Sequence, residues 1–191
     1  CIKPVGIDSE SGVPEQLKQQ LGGEIFTLHR LDKNVGGVMV YGRTKQAAAA
    51  LSKAITQGQM VKEYVAMVHG TPAPEGDWTD LLFKDSRKNK VFVVNRQRNG
   101  VKAARLEFCQ LRDSSPALVR VRLHTGRTHQ IRVHMKHIGH PLPGDFLYNP
   151  DYSVINRQAL HSHKLQFKHP ITNEEMIFIA ELPEDMAKII D

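Results

Sequence analysis

Cysteine is scarce in this 191-residue sequence, with only Cys1 and Cys109 present. Two thiols provide no disulfide framework, and the usage fits a reducing, cytoplasmic compartment. Long apolar runs are missing too: none approaches the roughly 18 residues that a membrane span needs. No signal-peptide pattern opens the chain, so no membrane partner is expected. No internal repeat or low-complexity linker interrupts the sequence, and one domain over residues 1–191 is the expectation. A chain that opens on Cys1 in place of Met is expected to be truncated at its N-terminus.

What is present is positive charge. Lys and Arg number 26 against 20 Asp and Glu, for a formal charge of +6 and a pI near 9.4. A polyanionic partner is the implication. Clustering strengthens it in "RTHQIRVHMKHIGH" (127–140), which holds two Arg, one Lys and four His with no acid.

Periodicity supplies the elements. "PEQLKQQLGG" (14–23) reads as a short helix stopped by glycines, and "GGVMVYG" (36–42) as one buried strand. Thr44 is placed to cap a helix whose apolar residues Ala47, Ala48, Leu51 and Ile55 recur at three- and four-residue steps; Gly58 ends it. "VKEYVAMVHG" (61–70) reads as a strand, and "TPAPEGDW" (71–78) as a loop. "KVFVVN", "KAARLEFCQL" and "PALVRVRLHTG" alternate like paired strands. Segment 125–140 is helical in its spacing of Ile131, Met135 and Ile138. "LHSHKLQFKHPITNEEMIFIAELP" resembles a final hairpin before a short terminal helix. The class is α+β, a mainly antiparallel mixed sheet flanked by helices.

Three features carry possible chemistry. In "HRLD" (29–32), Asp32 is either a solvated turn residue or a nucleophile held by cations. Tyr64 lies on an apolar strand, where a tyrosine is either packing with a satisfied hydroxyl or a group aimed at a substrate. The histidines at 124, 129, 134 and 137 are spaced by five, five and three, without an H-E-x-x-H arrangement or a cysteine pair, so no metal is expected. Their segment reads as a phosphate-contacting surface or as a solvated basic helix.

Three separated segments resemble the RluA-type pseudouridine synthases. "HRLDKNVGGVMV" is similar to the family's HRLD segment, "KEYVAMVHG" to its K-x-Y-x-A strand, and "LHTGRTHQIRVHMKHIGHPLPGDFLY" to its long third signature. "KPVG" near the start and "LHSHKLQFKHPIT" near the end are weaker matches. The resemblance implies a single catalytic domain that isomerises uridine to pseudouridine in ribosomal or transfer RNA, acting as a monomer without cofactor or metal. It implies Asp32 as nucleophile, Arg132 as the cation paired with that carboxylate, and Tyr64 beside the uracil. Arg30 is implied to contact the space left by the extruded base. Arg127, His129 and Lys136 are the candidates for phosphate contacts.

Two departures matter. The family commonly has Thr-Ser before the glycine after HRLD, where this chain has Asn34-Val35-Gly36-Gly37. No S4-type RNA-binding domain is visible within the 191 residues. A catalytically silent RNA-binding relative is therefore the competing reading, and a histidine-rich metal hydrolase is a third.

Overall fold

The computed structural model describes residues 1–190. In chain order the elements are β1 (Ile2–Lys3), α1 (Gly12–Leu21), β2 (Phe26–Thr27), β3 (Gly36–Val38), β4 (Tyr41–Gly42), α2 (Lys45–Thr56) and β5 (Val61–Val68). There follow β6 (Glu75–Asp85), β7 (Lys90–Val94), β8 (Val101–Arg112), β9 (Ala117–Leu123), α3 (Gln130–His137), β10 (Leu160–Lys168), β11 (Glu175–Ile179) and α4 (Glu184–Ile190). The class is mixed α+β with mostly antiparallel pairing, as the alternation in the sequence predicts. Two compact units are formed, one by Cys1–Lys62 with His161–Glu181 and one by Glu63–Leu160 with the residues from Leu182 on.

In the first unit β1 and β11 are antiparallel to β3 and β10 respectively, while β3 and β10 run parallel. Helix α2 begins as its sequence predicts, the Thr44 hydroxyl accepting the Ala47 N–H at 3.1 Å. Its Leu51 packs with Val38, Met60, Leu165 and Phe167 into the unit's apolar core. Each such side chain contributes about 1.5–3 kcal/mol on burial.

The "GGVMVYG" run is two strands, contrary to the single strand expected. β3 ends at Val38, and β4 pairs with β2 in a separate two-stranded ladder. The break has a local cause: the Val40 N–H donates to the His29 ring, Nε2, at 3.2 Å instead of to a neighbouring strand.

In the second unit β5, β9, β8, β6 and β7 form a continuous antiparallel sheet in that order. Strand β6 includes the "EGDW" expected to be loop. Its polar sequence hides it, but β8 pairs with it from Glu75 to Phe83 and supplies the hydrogen bonds that its propensity does not. Helix α3 lays Val133 against Leu82, Val91, Ala104 and Tyr148. A second cluster joins Met67, Ile155 and Ala159 to Met186 of α4.

Candidate active site

The HRLD segment belongs to the first unit, and its backbone is fixed from several sides. Leu31 is buried and exchanges two hydrogen bonds with the Ser9 hydroxyl, which donates to its carbonyl at 2.9 Å and accepts its N–H at 3.2 Å. The Asp32 carbonyl accepts the Val35 N–H at 2.9 Å, closing a turn. The next carbonyl, that of Lys33, accepts both the Gly6 N–H at 2.9 Å and the buried Lys3 ammonium at 3.0 Å. Lys3 also donates to the Pro4 carbonyl at 2.8 Å. Asp32 is thereby held half-buried on a turn that has little freedom.

Its neighbours differ. Arg30 is exposed and pairs with Glu10 at 3.3 Å. His29 has its pKa pushed down to about 4, chiefly by burial and then by the nearby Lys62 ammonium. A neutral ring is what the geometry needs, because Nε2 accepts the Val40 N–H.

The last glycine of the Asn34–Gly37 stretch is required by its surroundings. Gly37 has φ +118°, and a Cβ there would lie 2.1 Å from the Ser162 carbonyl oxygen, so no larger residue fits. Val35 is wholly buried behind the turn.

Tyr64 and Arg132 belong to the second unit. Tyr64 sits on β5 opposite Val121 of β9 and exposes 6% of its surface. Arg132, on α3, exposes 2%. Its guanidinium forms a fork with Asp145, Nε donating to Oδ2 and Nη2 to Oδ1, both at 2.7 Å. The same carboxylate accepts the N–H groups of Leu147 and Tyr148 at 3.1 and 3.2 Å. Phe146 and Tyr148 place their ring centroids 5.4 and 5.1 Å from the guanidinium carbon. A buried charged pair is tolerated only when it is satisfied in this manner.

The loop that carries Asp145 depends on Gly144, at φ +68°, where a Cβ would lie 2.1 Å from the Arg157 carbonyl oxygen.

The start of α3 is wired by Gln130. Its Oε1 accepts from the Thr125 hydroxyl at 2.8 Å and the Arg127 N–H at 3.0 Å, while its Nε2 donates to the Arg105 carbonyl at 2.9 Å. The preceding residue, His129, is left-handed at φ 51°, and its Nδ1 lies 3.1 Å from the Tyr148 hydroxyl.

Helix α3 is not the solvated basic helix that its composition allows. Gln130 through Met135 are all buried, and Lys136 and His137 face solvent. Arg127 is exposed and donates through Nε to the Ala103 carbonyl at 3.0 Å.

The histidines of this region go to separate tasks. His124 pairs with Glu107 at 2.7 Å, His140 lies 2.9 Å from the His69 carbonyl, and His134 is enclosed 3.9 Å from Asp80. Burial pushes the His134 pKa down, against the opposing pull of Asp80.

Asp145, Tyr148, Gln130 and Lys3 received no role from sequence reasoning. For Asp145 the sequence signal is its place at the end of "GHPLPGD" (139–145).

Residues 3–137 match the RNA pseudouridylate synthase family. The chain belongs to that family.

Among relatives of these synthases, it is 38% identical over 174 residues to the uncharacterized RNA pseudouridine synthase YjbO of Bacillus subtilis, covering 90% of this chain and 61% of that protein. It is 35% identical over 177 residues to the ribosomal large subunit pseudouridine synthase D of Vibrio cholerae, covering 85% of this chain and 54% of the other. The chain thus spans between half and two-thirds of the length of these two relatives. The solved structure of Human RNA Pseudouridylate Synthase Domain Containing 4 shares the fold, with a TM-score of 0.81 at 23% identity over 99% of this chain and 87% of that one.

Proposed function

We propose that residues 1–191 are the catalytic domain of an enzyme that isomerises uridine to pseudouridine in structured RNA, ribosomal or transfer. The observation that carries this reading is the family match over residues 3–137, inside which Asp32, Tyr64 and Arg132 all stand. The ribosomal substrate named for the Vibrio cholerae relative favours ribosomal RNA.

The reaction breaks the bond from the ribose C1′ to N1 of uracil and joins C1′ to C5 of the same base. The C5 proton leaves and N1 gains one, so no atom or electron is exchanged with a co-reactant. Asp32, ionised, is the nucleophile that takes up the electron-deficient centre generated when the base is released. Arg132 supplies the permanent positive charge that favours this carboxylate in its ionised form. The Asp145 fork holds the guanidinium plane still.

Tyr64 is the base for the C5 proton after the sugar has been reattached. The target nucleotide leaves its stack before attack, at a cost of a few kcal/mol that an unpaired loop lowers. Arg30 fills the space it vacates, and Arg127, His129 and Lys136 contact phosphates. The enzyme acts as a monomer in the cytoplasm.

The test is Asp32→Asn, which keeps the shape and removes the charge. Pseudouridine formation on bulk RNA, read by mass spectrometry of digested nucleosides, is expected to vanish while RNA affinity stays within about two-fold. Turnover above one-tenth of the parent rate would remove Asp32 from the chemistry.

A further inference from the structure

The positive charge of this chain has a single address. Between Lys84 and Lys102 lie seven cations (Lys84, Arg87, Lys88, Lys90, Arg96, Arg98 and Lys102) and one acid, Asp85, a net of +6. The remaining 172 residues hold nineteen cations and nineteen acids and sum to zero. The whole formal charge therefore sits on the β6–β7 hairpin and the turn into β8.

Six of the seven side chains are exposed, with Lys90 half-buried. None has a carboxylate within 4 Å among the described residues, whereas Arg105 just beyond is neutralised by Asp77 and Glu107 at 2.7 and 3.3 Å. Asp85, the one acid, turns its carboxylate to the Arg87 and Lys88 N–H groups at 3.0 and 3.2 Å, so it fixes the tip. Seven unneutralised cations on one hairpin repel each other, and a polyanion relieves that repulsion.

Aromatic rings accompany the charges. Phe83 and Phe92 are paired across β6 and β7, the Arg98 guanidinium lies 4.7 Å over Phe83, and Phe92 leaves 38% of its surface open. Where its turn enters β7 the hairpin comes near the arginine of the proposed chemistry, since Lys90 lies 5.3 Å over Tyr148 and Tyr148 lies 5.1 Å from Arg132.

We propose that the β6–β7 hairpin and the turn that follows it form an RNA docking surface, which binds the phosphates flanking the target uridine and stacks an unpaired base on Phe92. This rests on the function proposed above and extends the footprint from segment 127–140, much of which is buried, to a surface with more than twice its Lys and Arg. Exposed cations with an open aromatic face suit a single strand, in which every base presents a stacking face.

The experiment measures the salt dependence of binding to a single-stranded RNA of about 20 nucleotides. Each phosphate contact contributes roughly 0.7 to the logarithmic salt slope for a single strand. The variant R87Q/K88Q/R96Q/R98Q is expected to lower the slope by about 3, and Phe92→Ala to weaken binding about ten-fold. The control K18Q/K45Q/K53Q removes exposed cations from α1 and α2 and is expected to leave the slope in place. Asp32→Asn, inactive, is expected to keep the parent slope.

An unchanged slope in the quadruple variant, or an equal fall in the control, overturns the docking surface and leaves the proposed reaction standing. Hairpin-dependent binding to phosphatidylserine vesicles by a protein that ignores RNA overturns RNA as the partner. A parent protein that neither binds RNA nor forms pseudouridine overturns both proposals.

Discussion

At the scale of single residues, Tyr64 is the position where packing and chemistry are hardest to separate. Its ring is buried on β5, and phenylalanine would preserve nearly all of that contact. Only the hydroxyl is lost. With Tyr64→Phe, RNA carrying tritium at C5 of uridine is expected to bind normally and to release tritium about 10²–10⁴-fold more slowly, the loss typical of a missing general base. Near-parental release would make Tyr64 a packing residue. Asp32, Tyr64 and Arg132 could be singled out as candidates because each stands in a short contiguous motif. The Asp145 fork was not, because its partner is thirteen residues away across a loop and no periodicity links them. Lys3 was equally hidden, its ammonium reaching the Lys33 carbonyl thirty residues on.

At the scale of elements, glycines mark where backbones approach one another. Gly37 brings β3 against β10, where a methyl group would meet the Ser162 carbonyl oxygen at 2.1 Å with φ at +118°. Gly139, after α3, also has positive φ, +91°, but open space around it. Gly37→Ala is therefore expected to destabilise by roughly 3 kcal/mol or more, and Gly139→Ala by only about 1 kcal/mol, the backbone term alone. Urea unfolding of the two variants side by side checks this, and equal losses would refute the close approach. The amphipathic α2 and the β10–β11 hairpin could be read from their patterns. Strand β6 could not, since Gly76, Asp77, Asp80 and Asp85 suppress its alternation and only its partners on both sides define it. The interior position of α3 was equally opaque, because Gln130, Arg132 and His134 look like a wet face although all three are buried.

At the scale of the whole molecule, acid acts through two enclosed imidazoles. Burial holds His29 in one unit at about 4 and pushes His134 in the other below its ordinary value. An unfolded histidine titrates near 6.5. Between that pH and the folded value the unfolded chain binds more protons, so stability is complete above about 6.5 and declines as the pH falls toward 4. His29 alone accounts for up to about 3 kcal/mol of that decline, a large part of an ordinary domain stability of roughly 5–15 kcal/mol. Urea midpoints are expected to drop between pH 7 and pH 4.5, and His29→Gln, which can still accept the Val40 N–H, is expected to flatten much of the drop. A midpoint independent of pH over that range in the parent would mean that neither ring is kept neutral by the fold.

Strand β7 ends its sheet, and the outer rim of a sheet is an open template on which another chain can grow. Here the template is interrupted by one phenol. The Tyr148 hydroxyl accepts the Val91 N–H at 2.8 Å and lies 3.2 Å from the Val91 carbonyl, so both backbone groups at that position are already engaged. The residue that occupies this edge position is also the one whose ring faces Arg132 and whose N–H is held by Asp145. One side chain thus joins the outer rim of the sheet to the surroundings of the buried arginine, so a change at Tyr148 is felt at both.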